Sequence, residues 1–82
     1  ALINISGYGY LDVVKYLVEN GADIHTDNDG ALRWASVNGH LDVVRYLIEN
    51  GADVNAEDNF SLVYAARKGH LDIVKYLVNQ GS

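Results

Sequence analysis

The feature that most constrains this sequence is a repeat with a period of thirty residues. Residues 39–55 read GHLDVVRYLIENGADVN, residues 9–25 read GYLDVVKYLVENGADIH, and a third copy begins at Gly69 as GHLDIVKYLVNQGS. Self-similarity at such a period is typical of stacked repeats and not of one independent globular core. The sequence therefore predicts a solenoid in which each unit packs on its neighbours.

Within one unit, the apolar residues recur at helical spacing. Leu41, Val44, Leu47 and Ile48 lie on one face of a helix between residues 41 and 50. Gly51 follows as a left-handed helix stop. A shorter helix is predicted over residues 31–38, so that each unit is a helix, a tight turn, a second helix and an extended loop. The fold class is therefore all-α, a helix-turn-helix solenoid of about two and two-thirds repeats.

The whole chain is predicted to be one array, with units at residues 1–30, 31–60 and 61–82. The first helix of the first unit is expected to be short or irregular, because Ile5 and Gly7 both weaken helices. The tyrosines repeated at residues 16, 46 and 76 are expected to form a ladder within the core. Apolar faces left at both ends predict a possible end-to-end self-stacking of copies.

Composition excludes several kinds of function. A net charge of −5 does not suit a nucleic-acid surface or an anionic membrane, because both need clustered Lys and Arg. The chain has no Cys, which excludes a disulfide framework and a zinc knuckle and favours an intracellular, cytoplasmic location. We expect no cofactor and no metal.

These residues resemble the ankyrin repeat, since GHLDVVRYLIENGADVNA follows that family's second helix and loop almost position by position. The sequence departs from the family in its period, which is usually about 33, and in lacking the Thr-Pro-Leu-His opening. At that place stand Gly30-Ala31-Leu32-Arg33 and Phe60-Ser61-Leu62-Val63. The thirty-residue form looks like the ankyrin arrays of giant DNA viruses. The resemblance implies a protein–protein interaction module and not an enzyme.

Residues that could carry chemistry have simpler explanations. His40 and His70 lie at the turn between helices, where imidazole can bond to the backbone, and Tyr10 takes their place in the first unit. His25 is a single loop residue that we expect to be merely solvated. The serines lie outside any G-x-S-x-G motif, which argues against nucleophilic catalysis; they are Ser6, Ser36 and Ser61.

The resemblance implies that a partner protein contacts the loop tips and the exposed side of the first helices, along a concave face. Trp34 and Tyr64 occupy equivalent positions there, and each could equally be part of the core or of the interface. The predicted partner-binding residues are Asn28, Asp29, Arg33, Trp34, Val37, Asn38, Asp58, Asn59, Phe60, Tyr64, Arg67 and Lys68.

Two further expectations concern function. Near-identical units would also suit a structural spacer within a longer array, whereas variation confined to tips and first helices favours a binder. The family resemblance also implies a possible hydroxylation at Asn55, which follows Asp53 and Val54 and has Leu47 eight positions upstream. Its side-chain amide is otherwise expected to bond within the loop.

Overall fold

Residues 2–80, which the computed structural model describes, form two rows of helices. The first helices of the three units, α1, α3 and α5, pack on one another in one row, and the second helices, α2, α4 and α6, form the other. The array measures 31 × 19 × 19 Å, and no strand occurs among these residues. The predicted all-α repeat solenoid is therefore confirmed. The helices are α1 (Leu2–Tyr8), α2 (Leu11–Glu19), α3 (Thr26–Val37), α4 (Leu41–Glu49), α5 (Ala56–Arg67) and α6 (Leu71–Asn79).

The second helices supply much of the core. Val44, Leu47 and Leu77 are fully buried, as their helical spacing predicts. At the end of α4, Gly51 has φ of 103°, a left-handed conformation in which a Cβ would be strained. The N–H of Ala52 then donates to the carbonyl of Leu47 at 3.0 Å, which closes the helix. The equivalent glycine of the third unit, Gly81, lies outside the described residues.

The tyrosines of the second helices do not form the core ladder that their repetition suggested. Tyr16 is 66% exposed, whereas Tyr46 and Tyr76 are half-buried at the edge of the core. Each of the latter two receives a cation from the preceding unit: Lys15 Nζ lies 5.8 Å from the ring centroid of Tyr46, and the Arg45 guanidinium lies 5.9 Å from that of Tyr76. With an apolar ring and a polar hydroxyl group, these tyrosines lie between the core and the solvent.

Small residues let the first helices approach one another closely. A Cβ on the buried Gly7 would lie 3.4 Å from Asn38 Nδ2 and 3.5 Å from Trp34 Cβ. The Asn38 amide uses this proximity and donates to the Gly7 carbonyl at 3.0 Å. Helix α1 is short, with seven residues, but none of them has the positive φ that would mark the expected irregularity. Gly7 therefore contributes close packing and not a break.

The loops that enter the first helices contain a feature that the sequence did not predict. Residues 27–29 and 57–59 each form one left-handed turn, with φ between 55° and 63°. Asn and Asp tolerate this region better than other residues with a side chain. The right-handed part of α3 consequently begins at Gly30, and that of α5 at Phe60. We call the two left-handed turns the tips.

Candidate functional site

Aromatic and arginine side chains of two neighbouring units meet beside the tips. Phe60 stacks on Tyr64 with ring centroids 4.2 Å apart and planes 14° apart, and Trp34 meets Phe60 edge-on at 6.0 Å. The guanidinium of Arg33 lies 4.9 Å from the Phe60 centroid, and that of Arg67 lies 5.5 Å from the Tyr64 centroid. These five residues, which we call the aromatic stack, link α3 to α5.

The aromatic stack is only partly covered by the fold. Trp34 is 43% exposed, and Phe60 and Tyr64 are half-buried. The choice between core and interface is therefore not exclusive for these rings, because each is partly covered by the array and partly exposed. A large, partly exposed aromatic surface of this kind is typical of binding sites.

Arg33 is held in place by the tip of its own unit. Its Nη2 donates to the carbonyl of Asp27 at 2.8 Å, and its Nε donates to the carbonyl of Asn28 at 3.2 Å. Both carbonyl oxygens belong to residues of the left-handed turn. Part of the Arg33 donor set is thereby used, and the remaining donors are presented in a fixed orientation.

The tips are joined to each other through polar contacts. The Asp29 carboxylate is only 2% exposed, and it accepts from His25 Nδ1 at 2.5 Å and from the backbone N–H of Asp53 in the next unit. Asn28 Nδ2 donates to Glu57 Oε2 at 3.3 Å. The hydrogen bond and the charge of Asp29 raise the pKa of His25 above its ordinary value of 6.5. Asp29 therefore anchors one unit to the next.

Between the tips lies a polar groove of about 580 Å³, which includes Asn28, Asn55, Glu57 and Asp58 in its lining. Within residues 2–80, no group of three or more His, Cys, Asp or Glu residues is placed to hold a metal ion. None of the helices in that range is long and apolar enough to cross a bilayer.

Comparison with known families agrees with this architecture. A family model for ankyrin repeats, in three copies, matches residues 2–82. The chain belongs to the ankyrin-repeat family. Ankyrin repeats are generally protein–protein interaction modules, and the family is a non-enzymatic interaction fold. No curated protein sequence matched the chain.

In this ankyrin array, the residues selected from the sequence for partner binding fall into two groups. Asp29 and Val37 are buried and are thus not available on the surface: the Asp29 carboxylate is used within the tips, and the Val37 carbonyl accepts from His70 Nε2 at 3.0 Å. The others are exposed or half-buried, and they are Asn28, Arg33, Trp34, Asn38, Asp58, Asn59, Phe60, Tyr64, Arg67 and Lys68.

The Asp29 carboxylate accepts one hydrogen bond from His25 and one from the next unit. The expectation that His25 is merely solvated is wrong, since its imidazole is hydrogen-bonded to Asp29. For Asn55, the backbone and not the side-chain amide ties the loop: its N–H donates to Asp53 Oδ1 at 2.9 Å, and its carbonyl accepts from the N–H of Asn59 at 3.2 Å.

The two repeated histidines have structural surroundings. His70 bonds to the Val37 carbonyl, and its ring lies so close to Gly39 that a Cβ there would come within 2.8 Å of it. The His40 ring lies in the same way against Gly9. The interpretation of a turn histidine is therefore confirmed for His70, with the bond reaching the preceding unit. The three serines noted above are all buried.

Sequence reasoning missed His25 and Glu57 as members of the tip network. Their partners lie four and twenty-nine positions away, at Asp29 and Asn28. The spacing of twenty-nine is close to one repeat period, so aligning the units could have suggested that Glu57 faces the preceding tip. No comparable pattern pointed to the pair between His25 and Asp29.

Proposed function

We propose that this ankyrin array is a protein-binding module, and that the partner contacts the tips and the exposed side of the first helices along a concave face. The observation that carries the proposal is the aromatic stack: an exposed Trp34 beside Phe60 and Tyr64, bordered by Arg33 and Arg67. These residue types dominate binding energy at protein interfaces. They also occupy positions that differ between units, whereas the second helices hardly change.

The test is affinity capture from a lysate of the source or host cells, followed by mass spectrometry. Trp34→Ala should release a partner that the unchanged array retains, because it removes the most exposed ring of the stack. Tyr16→Ala is the matched control, since Tyr16 is an exposed aromatic residue in the other row of helices. Equal loss with both variants would contradict a site at the aromatic stack.

The alternative function is a structural spacer within a longer repeat array. The near-identity of α2, α4 and α6 favours it. Capture of nothing above background by the unchanged array would favour the spacer over the binder. In either case, we propose that residues 1–82 act as one array of units 1–30, 31–60 and 61–82, without catalysis, in the cytoplasm.

We also propose that copies of the chain stack end to end. Val13 is exposed in the first unit, whereas the equivalent Val43 and Ile73, which lie in units that follow another unit, are fully buried. At the other end, Leu71 is 62% exposed, and the described residues place nothing within 4 Å of a Cβ on Gly69. A second copy that brings Tyr10 to Gly69 would continue the arrangement in which His40 covers Gly9.

Small-angle scattering over a range of concentrations tests this stacking. The apparent mass should rise toward millimolar concentration, and Leu71→Glu should prevent the increase by placing a charge in the contact. Asn50→Asp, which adds the same single negative charge at an exposed position of the middle unit, is the control. A strict monomer at millimolar concentration would refute the proposal.

A third proposal is that Asn55 is a substrate for asparaginyl hydroxylation. Asn55 is exposed, and it lies eight positions after Leu47, as the family resemblance requires. Because Leu47 is fully buried, the enzyme would need the repeat to open locally. We propose competence as a substrate in vitro and not a biological role.

Incubation with the hydroxylase and peptide mass spectrometry test the modification. The expected result is one added oxygen on the peptide that contains Asn55, and none after Asn55→Ala. Absence of the oxygen, while a known ankyrin substrate is modified in parallel, would refute the proposal.

A further inference from the structure

Charge is divided unevenly over this acidic chain. The right-handed parts of the first helices and their final turns, residues 2–8, 30–38 and 60–68, contain no acidic residue and carry Arg33, Arg67 and Lys68. These are three of the six Lys and Arg residues in a chain with eleven acidic ones. The face around the aromatic stack is therefore positive although the protein is negative.

The acidic residues concentrate next to this positive face instead. Six of the eleven lie in the loops that form and flank the tips, and these are Asp23, Asp27, Asp29, Asp53, Glu57 and Asp58. A ligand on the aromatic stack thus meets positive charge at its centre and negative charge at the tip side. That arrangement of charges limits both the net charge and the length of a ligand that can bind to the aromatic stack.

The guanidinium groups are arranged to bind carboxylates. A guanidinium that lies over an aromatic ring offers its N–H donors around its edge, where a planar carboxylate can accept two of them. Arg33 is also fixed by the carbonyls of Asp27 and Asn28, so that little side-chain freedom remains to be lost on binding. Arg67 is exposed and lies over the adjacent Tyr64.

We infer that the partner of this face is a short acidic segment of a protein, with carboxylates at Arg33 and Arg67 and an apolar or aromatic side chain against Trp34. This inference rests on the proposed binding function and names the chemistry of the partner. Negative charge on the segment is matched by the positive face, while the acidic tips repel any charge that extends beyond it.

The same observations disfavour a nucleic acid. Aromatic rings interleaved with arginine can bind single strands, but such sites follow the phosphate backbone along a continuous positive groove. Here the positive face ends at the acidic tips, where further phosphates would be repelled. A segment with a few carboxylates fits the available length better than a regularly charged polyanion does.

The experiment is selection from a random twelve-residue peptide library displayed on phage, with the unchanged array immobilised. Selected peptides are then synthesised with a fluorophore, and their Kd is measured by fluorescence anisotropy. We expect enrichment of Asp and Glu around an aromatic or aliphatic residue, with binding that weakens as salt is raised. Replacing the acidic residues of a selected peptide by Gln and Asn should weaken binding about tenfold or more.

Two variants with the same change in charge locate the site. Arg67→Gln should weaken binding of the acidic peptide about tenfold, because it removes a charged donor at the stack. Lys75→Gln on α6 should leave the Kd within about twofold, since an exposed charge in the other row is screened. Equal effects of the two variants would overturn the inference.

The remaining outcomes separate this inference from the proposed function. Selection of neutral or basic peptides, with binding that is lost in Trp34→Ala, would overturn the inference of an acidic partner. It would leave the proposed protein-binding function intact. Enrichment of no peptide would overturn the inference and also weaken the proposed function. Equal or tighter binding of a ten-nucleotide oligothymidylate would replace the acidic segment by a nucleic acid.

Discussion

The two rows of helices use the same thirty-residue period in different ways. In the second helices, equivalent positions carry nearly the same residues, and the leucines at 47 and 77 are fully buried. In the first helices, Asn4, Trp34 and Tyr64 occupy one position and Gly30 and Phe60 another. The second helices therefore repeat the same packing in each unit. The first helices combine small residues in the core with surface residues that differ between units.

Stability and surface character can thus be assigned to separate rows of helices within one repeat. Neither helix of a unit is long enough to be stable alone, so each depends on its neighbours. If the second row carries the common packing, substitutions there should cost far more stability than those on the exposed first row.

Leu47→Ala should largely unfold the protein. Leu47 is fully buried in the unit that has neighbours on both sides, and truncation of such a leucine costs about 2–5 kcal/mol. Thermal unfolding followed by circular dichroism is the measurement. Tyr16→Ala, in the same row but exposed, should change the free energy of unfolding by less than about 0.5 kcal/mol. An unchanged melting curve for Leu47→Ala would refute the stacking arrangement.

Asp29→Asn should have a smaller effect, because it weakens the connection between tips without opening a cavity. Asn tolerates the left-handed conformation, so the backbone is preserved, while the charged acceptor for His25 and for the N–H of Asp53 is lost. We expect the free energy of unfolding, measured by urea denaturation, to decrease by about 1.5 kcal/mol. Asp58→Asn, at an exposed position of the other tip, should stay within about 0.5 kcal/mol. Equal effects of the two variants would show that the buried Asp29 carboxylate contributes no more to stability than the exposed Asp58 does.

The smallest effect concerns pH. The hydrogen bond and charge of Asp29, with smaller contributions from Asp23 and Asp53, raise the pKa of His25 in the folded protein. The protonated form is thus favoured by folding, and its contribution to stability is complete below pH 6.5 and is lost as pH rises through the raised pKa. The melting temperature should therefore fall over this range. His25→Asn, which copies Asn55 of the next unit, should make that decrease smaller. A decrease of the same size in the variant would contradict the assignment to His25.

The sequence predicted the second helices well because their signal is local. Leu41, Val44, Leu47 and the stop at Gly51 together specify a helix, its buried face and its end. The repeat period then predicted that units stack, since a helix of nine residues needs a neighbour. Much of the candidate surface followed from the same alignment of units.

The tips could not be predicted in the same way. Their left-handed turns depend on three consecutive residues with positive φ, and Glu57 has no intrinsic preference for that region. The burial of Asp29 depends on a backbone N–H that belongs to the next unit. The repeat suggested a core position for Tyr16, but the exposure of its ring depends on whether a side chain of another unit covers it. These properties arise from contacts between units and not from the pattern within one unit.

The left-handed tips also restrict which sequences can vary there. A library that randomises residues 27–29 and 57–59 would sample all side chains equally, but the folded array would not accept them equally. β-Branched residues fit poorly at positive φ, whereas Asn, Asp and Gly fit best. Functional clones should consequently be depleted of Val, Ile and Thr at the tips, and new specificities should arise more readily on residues of the first helices.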